Sequence, residues 1–167
     1  GLKTFNAERY VAVSFGNAAN PPCPGAAEEG LRWDAISQIG ALLKSNAPGR
    51  PLAGMPVQAL YLTAGQSPDL ITMINAIHSS ATLENGKPVF DAYLVKQPNN
   101  PARINQCAAA PGANDPRRAI ANINVPVVAV FAQGEVIDGQ PFRKADSDAA
   151  NSRFRLYEIA GAAHIDS

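Results

Sequence analysis

The sequence predicts an α/β domain built on a mainly parallel sheet. Strand-like apolar runs at 57–63, 87–95, 123–135 and 153–160 alternate with helical segments or long loops, the order that parallel sheets adopt. The passage "VQALYLTAGQSPDLITMINAIH", residues 57–78, reads as a strand, a tight turn and a helix in immediate succession. The 167 residues suit a single domain with a substantial core.

The first segment, "GLKTFNAERYVAVSFGNAANPPCPG", holds a short apolar alternation at "YVAVSF" and then a turn-rich stretch. From Glu28 the period changes. Leu31, Ala35, Ile36, Ile39, Leu42 and Leu43 recur at three- and four-residue spacing, which predicts an amphipathic helix ending near Lys44, with Trp33 in its core-facing set. "SNAPGRPLAGMP" is a loop punctuated by proline and glycine. "VQALYLT" is apolar enough for a central strand.

"SPDLITMINAIH" begins as helices begin. Ser67 can cap, Pro68 fits the first helical position, and Asp69 suits the positive end of the dipole. His78 falls at the helix end, where the dipole favours it. "KPVFDAYLV" is a second strand, with Asp91 read as structural. A Pro-, Asn- and Ala-rich loop follows it. "INVPVVAVFAQGE" is the clearest strand, a β-branched run closed by Gly134. After a polar loop, "RFRLYEIA" alternates as a last strand and delivers "GAAHIDS". Arg155 and Glu158 are read as structural, pairing across its face.

Composition excludes several classes of function. Acidic and basic residues number 14 each, and no basic stripe is present, so nucleic acid is not an expected partner. No apolar run reaches the roughly 18 residues of a membrane span. Gly1 opens into mixed sequence without a signal-peptide pattern. Cys23 and Cys107 both sit in loop-like surroundings; a disulfide between them would fit a secreted or periplasmic protein, and the alternative is two unpaired thiols. No Cys/His clustering points to a metal site.

The order of elements carries chemistry. In a Ser-His-acid hydrolase on an α/β sheet, the nucleophile sits on a strand-to-helix turn, and the acid and then the histidine follow later in the chain. Here the turn is at 63–69, an acid follows the "VPVVAVFAQ" strand at Glu135 or Asp138, and His164 follows the last strand. Glu135 is favoured as the acid. The histidine takes the nucleophile's proton, while the acid holds the imidazole's tautomer and stabilises the imidazolium.

"TAGQSPDLITMINAIH", "GKPVFDAYLV", "INQC", "VPVVAVFAQGEVID" and "DSDAANSRFRLYEIAGAAHIDS" together resemble the α/β-hydrolase-domain proteins, over most of the chain from about residue 28. That family's elbow typically reads Gly-x-Ser-Gln-Ser-Gly, and its catalytic part ends in an Arg-x-x-Glu-x-Ala-Gly-x-x-His segment. Arg155, Glu158, Ala160, Gly161 and His164 match that segment in spacing. The resemblance implies a sheet of the α/β-hydrolase type of which this chain is the second half, without the earlier strands and a C-terminal tail. It also implies that the open sheet edge is covered, by another chain or by the missing part of the same precursor.

The departure from the family falls on the elbow. Read as Gly65-Gln66-Ser67-Pro68-Asp69, the turn is a Gly-x-Ser-x-Gly variant with Ser67 as nucleophile. Aligned on the family's Ser-Gln-Ser-Gly, it puts Gly65 at the nucleophile position and leaves Ser67 as a helix cap. The oxyanion hole of this fold uses the N–H of the residue after the nucleophile. After Ser67 that residue is Pro68, which has none, at a cost on the order of 3 kcal/mol in the transition state. In the second register Gln66 supplies the N–H, but Gly65 has no hydroxyl. Backbone chemistry favours the second register.

Two functions are therefore expected. One is a serine hydrolase acting on a carboxylic ester or related acyl compound through Ser67, His164 and Glu135 or Asp138, with Gln66 in the oxyanion hole and no metal or organic cofactor. The other is a nucleophile-less hydrolase-fold protein that binds a small acyl ligand or a partner chain.

Overall fold

A computed structural model describes residues 31–64, 74, 78, 86–96, 116, 119–138 and 143–162, with backbone alone for 31–36, 64, 135, 137 and 138. In chain order the elements are α1 (Leu31–Lys44), β1 (Tyr61–Ala64), β2 (Ala92–Lys96), β3 (Ile123–Phe131), α2 (Gln133–Asp138) and β4 (Ser152–Glu158). The four strands form one sheet in the order β1-β2-β3-β4, and every neighbouring pair is parallel. The α/β class and the parallel sheet are as expected from the sequence.

α1 ends at Lys44 as its spacing predicts. Pro48 then disfavours helical backbone at Ala47, and Gly49 takes a φ of +79° to turn the chain. Along α1, Gly40 passes so close to Val89 and Phe90 that a Cβ there would lie 2.6 Å from Val89 Cγ1 and 2.9 Å from Phe90 Cζ. Both neighbours are buried in the core and have no room to withdraw. Gly40→Ala gains about 1 kcal/mol of helix propensity, but overpacking costs about 1–3 kcal/mol. We expect net destabilisation, seen as a lower denaturant midpoint; a raised midpoint would contradict the packing.

β1 and β2 both start later than their apolar runs. The parallel ladder opens at Tyr61 opposite Ala92. One step earlier a side chain stands in for the backbone. The Leu60 N–H donates to Asp91 Oδ2 at 2.7 Å, while the Asp91 N–H donates to the Leu60 carbonyl at 2.8 Å. Lys44 Nζ lies 2.8 Å from the same carboxylate oxygen, tying the end of α1 to the start of the sheet. Asp91 is thus structural, as expected. Val89 and Phe90 are consecutive and both buried, a pattern that strand alternation forbids and that packing against α1 requires.

β3 is the spine of the core. Ile123, Val125, Val127, Ala129 and Phe131 are all buried, and residues between them are half-buried or exposed. Pro126 sits where the β3–β4 register slips between Ile123 and Val127, since proline has no N–H to give the ladder. The strand ends at Phe131, not at Gly134 as the sequence led us to expect. Gly134 lies inside α2, a helix not expected from the sequence.

β4 carries a second correction. Arg155 and Glu158 do not pair with each other: three residues apart on a strand, they point to opposite faces. Arg155 instead grips the preceding loop, donating to Asp148 Oδ1 at 2.5 Å and to the Ser147 carbonyl at 3.0 Å, and Glu158 pairs with Arg143. The neighbouring carboxylate of Asp148 holds the Arg155 guanidinium above its ordinary pKa. Ser147 and Phe154 exchange backbone hydrogen bonds of 3.0 and 2.9 Å, and Asp146 Oδ1 accepts the Leu156 N–H at 2.9 Å. The loop thereby covers part of the edge that β4 would otherwise offer to another strand.

Candidate active site

Because the strands are parallel and lie side by side, their carboxyl ends share one edge of the sheet. Ala64, Val95, Ala129 and Leu156 stand in register across it. In open α/β sheets, ligand sites form beyond that edge. In chain order, the residues "GQSPD" follow β1, the two candidate acids follow β3, and the residues "GAAH" follow β4. Strand spacing puts the end of β3 about 10 Å from the end of β1, and the end of β4 about 14 Å away.

The segment after β4 closes part of that distance by turning back over β3. The Ile159 N–H extends the ladder by one bond, donating to the Phe131 carbonyl at 2.9 Å. The chain then turns, with the Ala162 N–H on the Ile159 carbonyl at 3.3 Å and Gly161 at a φ of +73°. Finally the Ala162 carbonyl accepts the Gln133 N–H at 3.2 Å. The approach to His164 is therefore hydrogen-bonded to the first residue of the helix that carries both candidate acids.

α2 is positioned by its own start. The Val136 N–H donates to the Ala132 carbonyl at 3.3 Å, which makes Ala132 the cap and Gln133 the first helical residue. Glu135 lies two residues beyond Gln133, about 3 Å along the helix axis; Asp138 lies five beyond, about 7.5 Å along it. Along the α2 axis, the Glu135 backbone is nearer than that of Asp138 to the Gln133–Ala162 bond. Both acids were expected directly after the strand, and there their backbones are helical.

Gly65, Gln66, Ser67 and His164 lie outside the described residues, as do Cys23 and Cys107. Of the sequence-derived site, the structure describes the strand before each member and the backbone of Glu135 and Asp138. The Gln133–Ala162 link and α2 itself were missed. A six-residue helix containing glycine leaves no periodicity to detect.

His78 is occupied elsewhere. It is helical, and Ile74, one turn earlier on the same face, is fully buried. His78 Nε2 lies 2.7 Å from Asn124 Oδ1 and Nδ1 lies 3.2 Å from the Tyr93 hydroxyl. An amide oxygen only accepts, so Nε2 carries a proton; in the neutral ring Nδ1 then accepts from the Tyr93 hydroxyl. Asn124 is near the amino end of β3, away from the carboxyl edge, so this cluster braces the sheet rather than serving the candidate site.

Burial pushes the Tyr93 phenol pKa well above its ordinary value. The folded state therefore holds this proton after an unfolded tyrosine has lost its own, and stability falls as pH rises above about 10. The slope attributable to Tyr93 reaches at most about 1.4 kcal/mol per pH unit. We expect denaturant titrations from pH 9 to 11 to show that decline, and Tyr93→Phe to flatten it. An equal slope in the variant would contradict the assignment.

Among the described residues, no group of three or more His, Cys, Asp or Glu is placed to hold a metal ion, and no helix is long and apolar enough to cross a membrane. A family model described as an alpha/beta hydrolase domain matches the chain over residues 1–167. No curated protein and no solved structure matches it.

Proposed function

Because the chain belongs to the alpha/beta hydrolase domain family, we propose that it is a serine-type hydrolase of carboxylic esters or related acyl compounds. Ser67 supplies the attacking hydroxyl and His164 takes its proton. Glu135 orients the imidazole, with Asp138 as the alternative acid. The oxyanion hole on this reading does without the Pro68 N–H, since proline has no donor to offer; in the Gly65 register that donor would be the Gln66 N–H.

The observation that carries this reading is the 3.2 Å bond between the Gln133 N–H and the Ala162 carbonyl. It supports an acid–histidine pair by joining the helix of the candidate acids to the segment that leads to His164. Attack by Ser67 on the ester carbonyl forms an acyl-enzyme and releases the alcohol, which takes its proton from the imidazolium. Water, deprotonated by the same imidazole, then releases the acid.

A second reading rests on the elbow itself. If Gly65 holds the nucleophile position, the chain is a nucleophile-less hydrolase-fold protein that binds a small acyl ligand or a partner chain. Hydrolysis of p-nitrophenyl acyl esters by the intact chain and by Ser67→Ala separates the two. Turnover abolished by Ser67→Ala supports the hydrolase. Absence of turnover in the folded native chain, together with turnover in Gly65→Ser, favours the second reading.

A further inference from the structure

We propose that the outer edge of β4, beyond the reach of the 143–148 loop, is an interaction surface whose partner is the same edge of a second copy of this chain, paired antiparallel about Glu158. Nothing in it depends on the reading of the active site.

The bonds already made along β4 fix which way each backbone group points. Phe131 stands opposite Glu158 in the parallel ladder, and the Ile159 N–H donates to the Phe131 carbonyl at 2.9 Å. A parallel ladder bonds a residue through the two neighbours of the one it faces. Tyr157 and Ile159 therefore turn their backbone groups to β3, and Glu158 turns its own outward. Phe154 and Leu156 share that outward phase, and the loop occupies them. Phe154 exchanges two backbone bonds with Ser147, and the Leu156 N–H donates to Asp146 Oδ1 at 2.9 Å. The backbone cover stops there. Among the described residues, nothing bonds the Glu158 N–H or carbonyl. An edge left in that condition is a template for another strand.

The side chains fit that strand to a second copy. Tyr157 and Ile159 are large, apolar, 57% and 51% exposed, and two residues apart on one face. In an antiparallel pair centred on Glu158, Tyr157 of each copy stands opposite Ile159 of the other, and both leave water together. Centring the pair on Tyr157 would need the Leu156 N–H, which Asp146 already holds. Arg155 falls opposite Gly161 of the second copy, so like charges do not meet on that face. On the other face the two Glu158 carboxylates meet, and each brings its paired Arg143, which leaves the junction neutral. The contact is short, because the turn that Ala162 closes on Ile159 ends it. A short contact makes a weak, concentration-dependent dimer.

Sedimentation equilibrium of the intact chain over a wide concentration range tests this. The average mass is expected to rise toward twice that of the chain. Glu158→Pro removes the outward N–H at an edge position that tolerates proline, and should weaken association by about tenfold or more. Ile159→Lys should do the same by placing a charge opposite Tyr157, and it decides alone if the proline variant does not fold. Glu158→Gln keeps the N–H and should keep the dimer. Tyr61→Pro blocks the outer edge of β1 in the same way, since Leu60 is the residue bonded to Asp91, and should leave association unchanged. A chain that stays monomeric throughout overturns the proposal, as does a dimer that survives both Glu158→Pro and Ile159→Lys. Equal loss with Glu158→Gln, or loss with Tyr61→Pro alone, overturns it too, the first by assigning the contact to charge and the second by moving it to β1.

Discussion

Replacing His164 with alanine is expected to lower kcat/KM for an activated acyl ester by about 10⁴-fold or more. A serine hydroxyl is a poor nucleophile at neutral pH unless a base takes its proton as it attacks. The same imidazole must return that proton to the leaving alcohol, so its loss affects both halves of the reaction. Glu135→Gln should cost less, about 10²- to 10⁴-fold, because it leaves a base present but unanchored in tautomer and orientation. The order of the two effects is the informative part. A drop of less than about tenfold for His164→Ala would mean that another group does this work.

Phe131→Ala is expected to remove about 3–5 kcal/mol of stability, measured as a shift in the denaturant midpoint at constant slope. The Phe131 side chain is fully buried at the end of β3, in the same cluster as Ile74, Tyr93 and Val95. The site has little freedom to collapse, since the sheet holds the backbone on both sides through β2 and β4. A domain of this size is stable by about 5–15 kcal/mol, so the variant sits near the threshold of folding. Phe131 also gives its carbonyl to Ile159. A cost below about 1 kcal/mol would mean that the core around β3 is looser than its burial indicates.

The parts of the fold that were legible in the sequence are those set by burial. β3 announces itself because all its inward residues are apolar and mostly β-branched. α1 does so through its three- and four-residue spacing up to Lys44. The strand starts were not legible. Nothing in "KPVFDAYLV" shows that the Asp91 carboxylate will accept the Leu60 N–H and so shift the paired ladder to Ala92. In the same way "AQGE" reads as the end of a strand, because glycine breaks strands and helices alike. Only the tertiary structure shows Ala132 capping a short helix.

The candidate site divides along the same line. The order of the strands that precede the candidate turn, acids and histidine was legible because it is a property of the chain, and the parallel sheet brings the carboxyl ends of those strands to one edge. The Gln133–Ala162 link was not, because backbone hydrogen bonds between distant segments leave no trace in residue type. Arg155 and Glu158 illustrate the opposite error. Their charges suggested a pair, but strand geometry sends them to opposite faces, and each finds its partner in the 143–148 loop.

Whether the elbow carries a working hydroxyl is the central claim, and fluorophosphonate labelling of mass-verified native protein with peptide mapping of residues 57–78 tests it most directly. The account predicts a single adduct on Ser67, lost in His164→Ala on the same timescale. Folded protein that takes no adduct anywhere in that segment would contradict it and leave Gly65 at the nucleophile position of a binding protein.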